Sequence, residues 1–274
     1  MKKFLLFLLI LFSCNSVFAE DWNSTTALNR VNTIGNKLLK ANGVQHTIQF
    51  KVSDEEDVNA YANLNKEVYV FKGLLQAVSN DEELAFVISH EIGHILNGHC
   101  AKQGVLNTGI GIISDLVVAK YDSSIATDLT ETLVTSKISR NDEFEADLTG
   151  ADLMIKAGYN PLAGISSLNK ISGNYFDVMV SHPSTDKRLL NLYEYVEYNH
   201  PEKIKTGFNT ISYNDAMKVI EPKVEKRKNS TFKTKRYEKK QEKLLAKKQK
   251  RMKKMSQKST IWDGYYSTLL MFAQ

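Results

Sequence analysis

Cysteine is almost missing from this chain: among 274 residues there are two, Cys14 and Cys100. A pair of thiols cannot form a disulfide framework, so the fold has to hold through its core. Long apolar runs are missing too. "FLLFLLILF" near the start and "GVLNTGIGIISDLVV" at residues 104–118 both fall short of the ~20 residues that a bilayer-spanning helix needs. The second reads as a buried or partner-facing helix, with a membrane-touching lid as the other reading. No internal repeat is found, and there is no room for a long helical-repeat domain. Histidine is scarce, six in all, which makes its clustering informative.

What the chain does have begins with an export signature. "MKK", the apolar run and "VFA" before Glu20 read as a secretory signal peptide over residues 1–19, cleaved after Ala19. The rival is "LFSC", which loosely resembles a lipoprotein cleavage box and would lipidate Cys14. Once residues 1–19 are removed, Cys100 stands alone, a small buried hydrophobe at a helix end. Charge divides the rest. Residues 223–258 carry 17 Lys/Arg and 3 Glu, although the whole chain is only +5, so the remainder is net acidic. An acidic globular domain at residues 20–200, with a basic tail at 201–274, is expected. The tail reads as a solvated helix or a disordered arm ending in the aromatic "IWDGYYSTLLMF". An exported chain rarely meets nucleic acid, and the tail has no recognised nucleic-acid fold. An anionic membrane surface, an acidic partner (the body of this same chain included) or a mere solubilising role remain.

Periodicity supplies a coarse map. Leu28, Val31, Ile34 and Leu38 have helical spacing that stops at Asn42-Gly43. "TIQFKV", "VNAYAN" and "EVYVFKG" are short extended pieces that predict a small antiparallel sheet. "SNDE" at residues 79–82 is a capping box, so a helix starts near Asn80 and runs through "LAFVISHEIGHILNGHC". Helices follow in "SRNDEFEADLTGADLMIKAGYNP", from Pro161, and after "HPS" with Ser184 as N-cap. The fold class is α+β, mainly α.

The chemistry sits on the second helix. His90 and His94 are four residues apart, so they leave one face about a turn apart and can grip one ion. Glu91 lies beside His90, within reach of a water on that ion. This H-E-x-x-H arrangement is a zinc site with its general base built in. His99 is rejected as a ligand: nine residues past His90 is about 900° of rotation, onto the opposite face. It is expected to bond backbone or a carboxylate at the helix end. A metzincin is excluded, because Asn97 and Cys100 stand where that pattern needs glycine and histidine. A third protein ligand is still required. Glu143, 49 residues past His94, is the best candidate, with Asp147 one turn on and able to bond a ligand histidine's free ring N–H.

"HEIGHILNGH" together with "SRNDEFEAD" resembles the HtpX-like gluzincin zinc peptidases, peptidase family M48. "VNAYANLNKEVYVFKGLL" and "SHPSTDKRL" resemble that family's flanking segments, so the likeness covers roughly Val58 to Leu189. It implies a zincin-like domain with the sheet beside the H-E-x-x-H helix. It also implies one zinc ion held by His90, His94 and Glu143, with Glu91 as catalytic base. Asp147 matches the family's acid-motif aspartate, a proton donor in that view and an outer-sphere partner by the spacing argument. His182 and Arg188 are candidates to steady the oxyanion. His182 could instead cap the zinc in a latent state, or the His-Pro pair could simply start a helix. Substrate is expected extended, along Val68, Tyr69 and Val70 as an edge strand above the site. Zinc would bring its water's pKa to about 7, within reach of Glu91.

The combined expectation is a periplasmic zinc endopeptidase acting on misfolded or envelope proteins. The rival is a periplasmic binding or assembly factor in which cleavage is secondary.

Overall fold

The computed structural model describes residues 23–44, 48–100, 139–173 and 185–256. The signal segment, Cys14, the stretch 104–118, His182, Ser184 and the aromatic end all lie outside the described residues.

Helix α1 (Ser24–Ala41) is capped by Asn23, whose side chain accepts from the Thr26 amide. It buries Val31, Ile34, Leu38 and Leu39. Strands β1 (Gln49–Ser53), β2 (Ala60–Ala62) and β3 (Glu67–Phe71) form one sheet in the order β1-β3-β2. That sheet is mixed, not antiparallel as its sequence suggests: β1 runs parallel to β3, and β2 antiparallel. The link at residues 54–59 reverses the chain and carries it two strand spacings sideways, roughly 10 Å. The turn at Asn63 to Lys66 then folds β3 back into the gap. Both edges of β3 are therefore paired, and Val68 and Val70 are fully buried. This corrects the expected substrate edge at Val68, Tyr69 and Val70, because a central strand has no free backbone to offer a peptide.

After the short α2 (Lys72–Ala77) comes α3 (Asp81–Leu96), which holds the histidine motif. Its cap is displaced by one residue from the expected box. Asn80 Oδ1 accepts from the Glu83 amide at 2.9 Å, and the Glu83 carboxylate reaches back to the Ser79 amide at 2.7 Å. Every residue from Glu83 to Leu96 is buried, because α3 packs against α1, the sheet, α4 (Arg140–Lys156) and α5 (Ala163–Gly173). That central position is why the segment is apolar on all sides.

Helix α6 (Thr185–Asn199) crosses α4 and α5, followed by α7 (Pro201–Thr206), α8 (Ile211–Lys228) and α9 (Thr231–Ser256). The expected boundary at residue 200 falls inside the packed body. Helix α8 lies on α5 with Tyr213, Ala216, Ile220 and Val224 buried, a helical spacing hidden among its lysines. Helix α9 rests on α6 through ions and rings. The Tyr237 hydroxyl donates to the Glu194 carbonyl at 3.1 Å, and Lys240 meets Glu194 at 3.0 Å. Lys248 touches Asp152 of α4 and donates to the Tyr195 hydroxyl.

Candidate metal centre

Two helices bring the predicted ligands together. On α3, His90 and His94 turn their Nε2 atoms toward each other, 3.0 Å apart. On α4, whose first turn is fixed by the Ser139 cap, Glu143 places one carboxylate oxygen 3.5 Å from His90 Nε2 and the other 3.4 Å from His94 Nε2. All three side chains are buried, and their ligand atoms lie within 4.8 Å of one another.

Small residues make this approach feasible. A Cβ added to Gly93 of α3 would sit 2.9 Å from the Ala146 carbonyl oxygen of α4. One added to Gly150 of α4 would sit 3.1 Å from the His90 amide nitrogen. The helices thus touch backbone to backbone beside the ligands, and this is what draws Glu143 into reach. Sequence reasoning passed over both glycines. An isolated glycine inside each helical pattern was the available signal.

The outer contacts are charged. Asp147 Oδ1 lies 2.9 Å from His90 Nδ1. Arg188, from α6, forks onto both carboxylates of α4: Nε and Nη2 donate to Asp147 at 2.8 and 2.7 Å, and Nη1 meets Glu143 at 2.7 Å. Its three guanidinium nitrogens all face carboxylates, so Arg188 holds Glu143 and Asp147 in place, a task its sequence position did not suggest. Burial works against the His90 charge, but Asp147 and Glu143 outweigh it and push the imidazole up to about 9. Burial also raises Asp147, yet the guanidinium and His90 outweigh that and keep the carboxyl below its ordinary range. A cavity lies beside this group. His90, Glu91 and Arg188 line it together with Val58, Asn59 and Ala60 at the start of β2, over apolar Leu74, Phe86 and Leu168.

The donors fit a small dication. An ion held tetrahedrally at roughly 2.0–2.1 Å keeps its ligand atoms about 3.3–3.4 Å apart, close to the distances here. With a metal bound, His90 would give up its Nε2 proton and keep the one on Nδ1, 2.9 Å from Asp147 Oδ1, so that its Nε2 lone pair joins the other donors. Lone pairs converging in a buried space repel unless a cation lies among them. Two imidazoles and a carboxylate suit zinc.

His99 meets a carboxylate just past the helix end as expected, with Nε2 3.4 Å from Glu145 Oε2, but its placement differs. Rather than lying across the helix from the site, it stands against His94, with the two Nδ1 atoms 3.0 Å apart.

Known proteins resemble this chain in sequence. The chain is similar to the metalloprotease LoiP of Escherichia coli (strain K12), 32% identical over 170 residues, 58% of this chain and 66% of that one. It is 30% identical over 165 residues to the metalloprotease YcaL of the same organism, covering 56% of this chain and 65% of that one. With the beta-barrel assembly-enhancing protease of Yersinia pestis it shares 28% identity over 179 residues, 58% of this chain and 37% of that one. In each case the match spans less than two thirds of the relative's length. The profile of Peptidase family M48 matches residues 26–196, a stretch holding every ligand named above, and the chain belongs to that family.

Proposed function

We propose that this chain is a zinc-dependent endopeptidase that acts on misfolded or envelope proteins in the periplasm. The observation that carries the reading is the meeting of His90, His94 and Glu143 beside a cavity that Glu91 also lines. A Zn2+ ion held by those three would polarise the scissile carbonyl and acidify the attacking water. Glu91, 2% exposed, takes the proton of that water and passes it to the leaving amine. Asp147 orients His90 and carries no proton itself, since Arg188 keeps it ionised. Arg188 serves as the counter-charge that steadies the two carboxylates of α4, and it also lines the cavity where an oxyanion would form. A peptide would lie extended along the outer side of β2 near Asn59 and Ala60, the sheet edge that lines the cavity. Main-chain bonding there would make sequence preference loose.

The signal-like pattern of residues 1–19, read from the sequence, supports a periplasmic site of action. No helix among the described residues is long and apolar enough to cross a membrane. Mass spectrometry of the mature amino terminus separates cleavage after Ala19 from lipidation at Cys14. The inward basic groups of the carboxy-terminal helices are matched by acids of the body, Arg227 with Glu197 and Lys240 with Glu194. This supports the reading in which the tail docks on its own domain. The outward lysines of α9 remain for an anionic membrane surface.

One relative's name, an assembly-enhancing protease, joins assembly to proteolysis; the second reading is a periplasmic binding factor with cleavage secondary. Casein digestion decides between them. Wild-type protein should degrade casein, lose that activity with a chelator and regain it with Zn2+. Glu91→Gln should keep the metal yet cleave at least about a thousandfold more slowly, consistent with loss of general base catalysis. If both proteins leave casein intact but equally suppress aggregation, the binding reading stands.

A further inference from the structure

His99 reaches its place through a turn. Helix α3 stops at Leu96, and the Gly98 amide donates to the Ile95 carbonyl at 3.0 Å. Gly98 takes φ +69°, the left-handed region where glycine is favoured. Among the described residues nothing lies within 4 Å of where its Cβ would stand, so its left-handed φ is the reason for glycine there. The turn folds the chain back beneath α3, and the His99 ring centroid comes within 5.1 Å of that of His94. His99 is 2% exposed. Its Nε2 lies 3.4 Å from Glu145 Oε2 and 3.7 Å from Asp142 Oδ1, both on the first turns of α4.

His99, Asp142 and Glu145 gather their ligand atoms within 4.8 Å, as a second metal site would. Proton positions decide against that. A neutral imidazole carries one N–H. His94 directs its Nε2 lone pair at the metal centre, so its proton sits on Nδ1 and needs an acceptor. The atom 3.0 Å away is His99 Nδ1, which must therefore offer a lone pair. The His99 proton is then on Nε2, facing Glu145 and Asp142. A cation in that cluster would need the Nε2 lone pair, forcing a proton onto His99 Nδ1. Two N–H groups would then point head-on across one hydrogen-bond distance.

We propose that His99 is a positioning residue for the metal ligand His94: it fixes the ring plane and tautomer, and is held in turn by Glu145 and Asp142. Each metal histidine is thus tethered at its far nitrogen, His90 directly by Asp147 and His94 through a second imidazole. The inference rests on the zinc-peptidase reading.

The test measures Zn2+ affinity of the full chain by competition with a chromophoric chelator. His99→Phe keeps ring volume but offers no acceptor. His99→Asn places its amide oxygen where Nδ1 stands. The phenylalanine variant should bind Zn2+ about 10- to 100-fold more weakly, and the asparagine variant should recover affinity to within about threefold of wild type. Stoichiometry should be one Zn2+ per chain. Imidazole nitrogen NMR of the zinc-loaded wild type, which needs no variant to fold, should show His94 protonated at Nδ1 and His99 at Nε2. Equal affinity of wild type and His99→Phe overturns the proposal, as does equal loss in both variants, which would signal packing alone. A second bound Zn2+, or the opposite His99 tautomer, overturns it as well. A wild-type chain that binds no Zn2+ defeats the metal reading itself, a result distinct from all of these.

Discussion

Replacing Arg188 with methionine removes the guanidinium that bridges Asp147 and Glu143, two carboxylates that are 1% and 0% exposed. Methionine keeps much of the side-chain volume, so packing changes little and the charge effect stands out. Removing one partner of a buried ion pair costs about 3–5 kcal/mol, because the charge left behind is unpaired. In the metal-free protein His90, pushed up to about 9, still faces Asp147 and carries part of the load. That places Arg188→Met near the lower end, at about 3 kcal/mol. Urea unfolding followed by far-ultraviolet circular dichroism at pH 7, with chelator present, reads it directly. Adding Asp147→Asn removes one of the stranded charges, so the double variant should regain about 1 kcal/mol or more over the single one. If Arg188→Met unfolds within about 1 kcal/mol of wild type, the Arg188 fork is not holding buried charge. A double variant less stable than the single one would refute the same reasoning.

Gly150→Ala should destabilise by about 1–3 kcal/mol by overpacking, since its Cβ would press on the His90 and Ser89 backbone; a gain of about 1 kcal/mol, as helix propensity alone gives, would show that the helices do not meet there. The Cys100 thiol, raised from 9.0 to about 12 by burial first and then by Glu91, should hold about a thousandfold less thiolate at pH 8 than an unperturbed cysteine. Its alkylation by iodoacetamide should therefore be correspondingly slow until the protein unfolds. For Glu67, burial raises the carboxyl, but Lys51 and Asn63 outweigh it and hold it below its ordinary 4.5. A depressed carboxyl contributes stability above the unfolded value and loses it as pH falls through the folded one. Glu67→Gln should accordingly cost up to about 1 kcal/mol at pH 7, a cost that shrinks as pH falls through the folded value; a cost that stays constant as the pH is lowered would rule out the Lys51 contact as its source.

The residues did settle some matters by themselves. His90, Glu91 and His94 are neighbours through the backbone of one helix, and a spacing of four puts two imidazoles on one face wherever that helix lies. Asn80 caps its helix by a bond that spans three residues, so the start of α3 was legible, whereas the Asn23 and Ser139 caps of α1 and α4 went unread. The meeting of Glu143 with those histidines was not local, and neither was the mixed sheet, nor the central place of Val68 to Val70. These depended on how far the link at residues 54–59 carried the chain and on how closely Gly93 and Gly150 let two helices approach. The same holds for Arg188, whose partners sit 41 residues away at Asp147, and for Ala216, Ile220 and Val224, whose apolar stripe is obscured by surrounding lysines. His99 was misplaced because rotation along a helix was counted past the residue where that helix ends. Periodicity follows from backbone geometry and can be read along the chain, whereas which faces touch is decided by packing between segments far apart in sequence, and that is settled only when the whole chain folds.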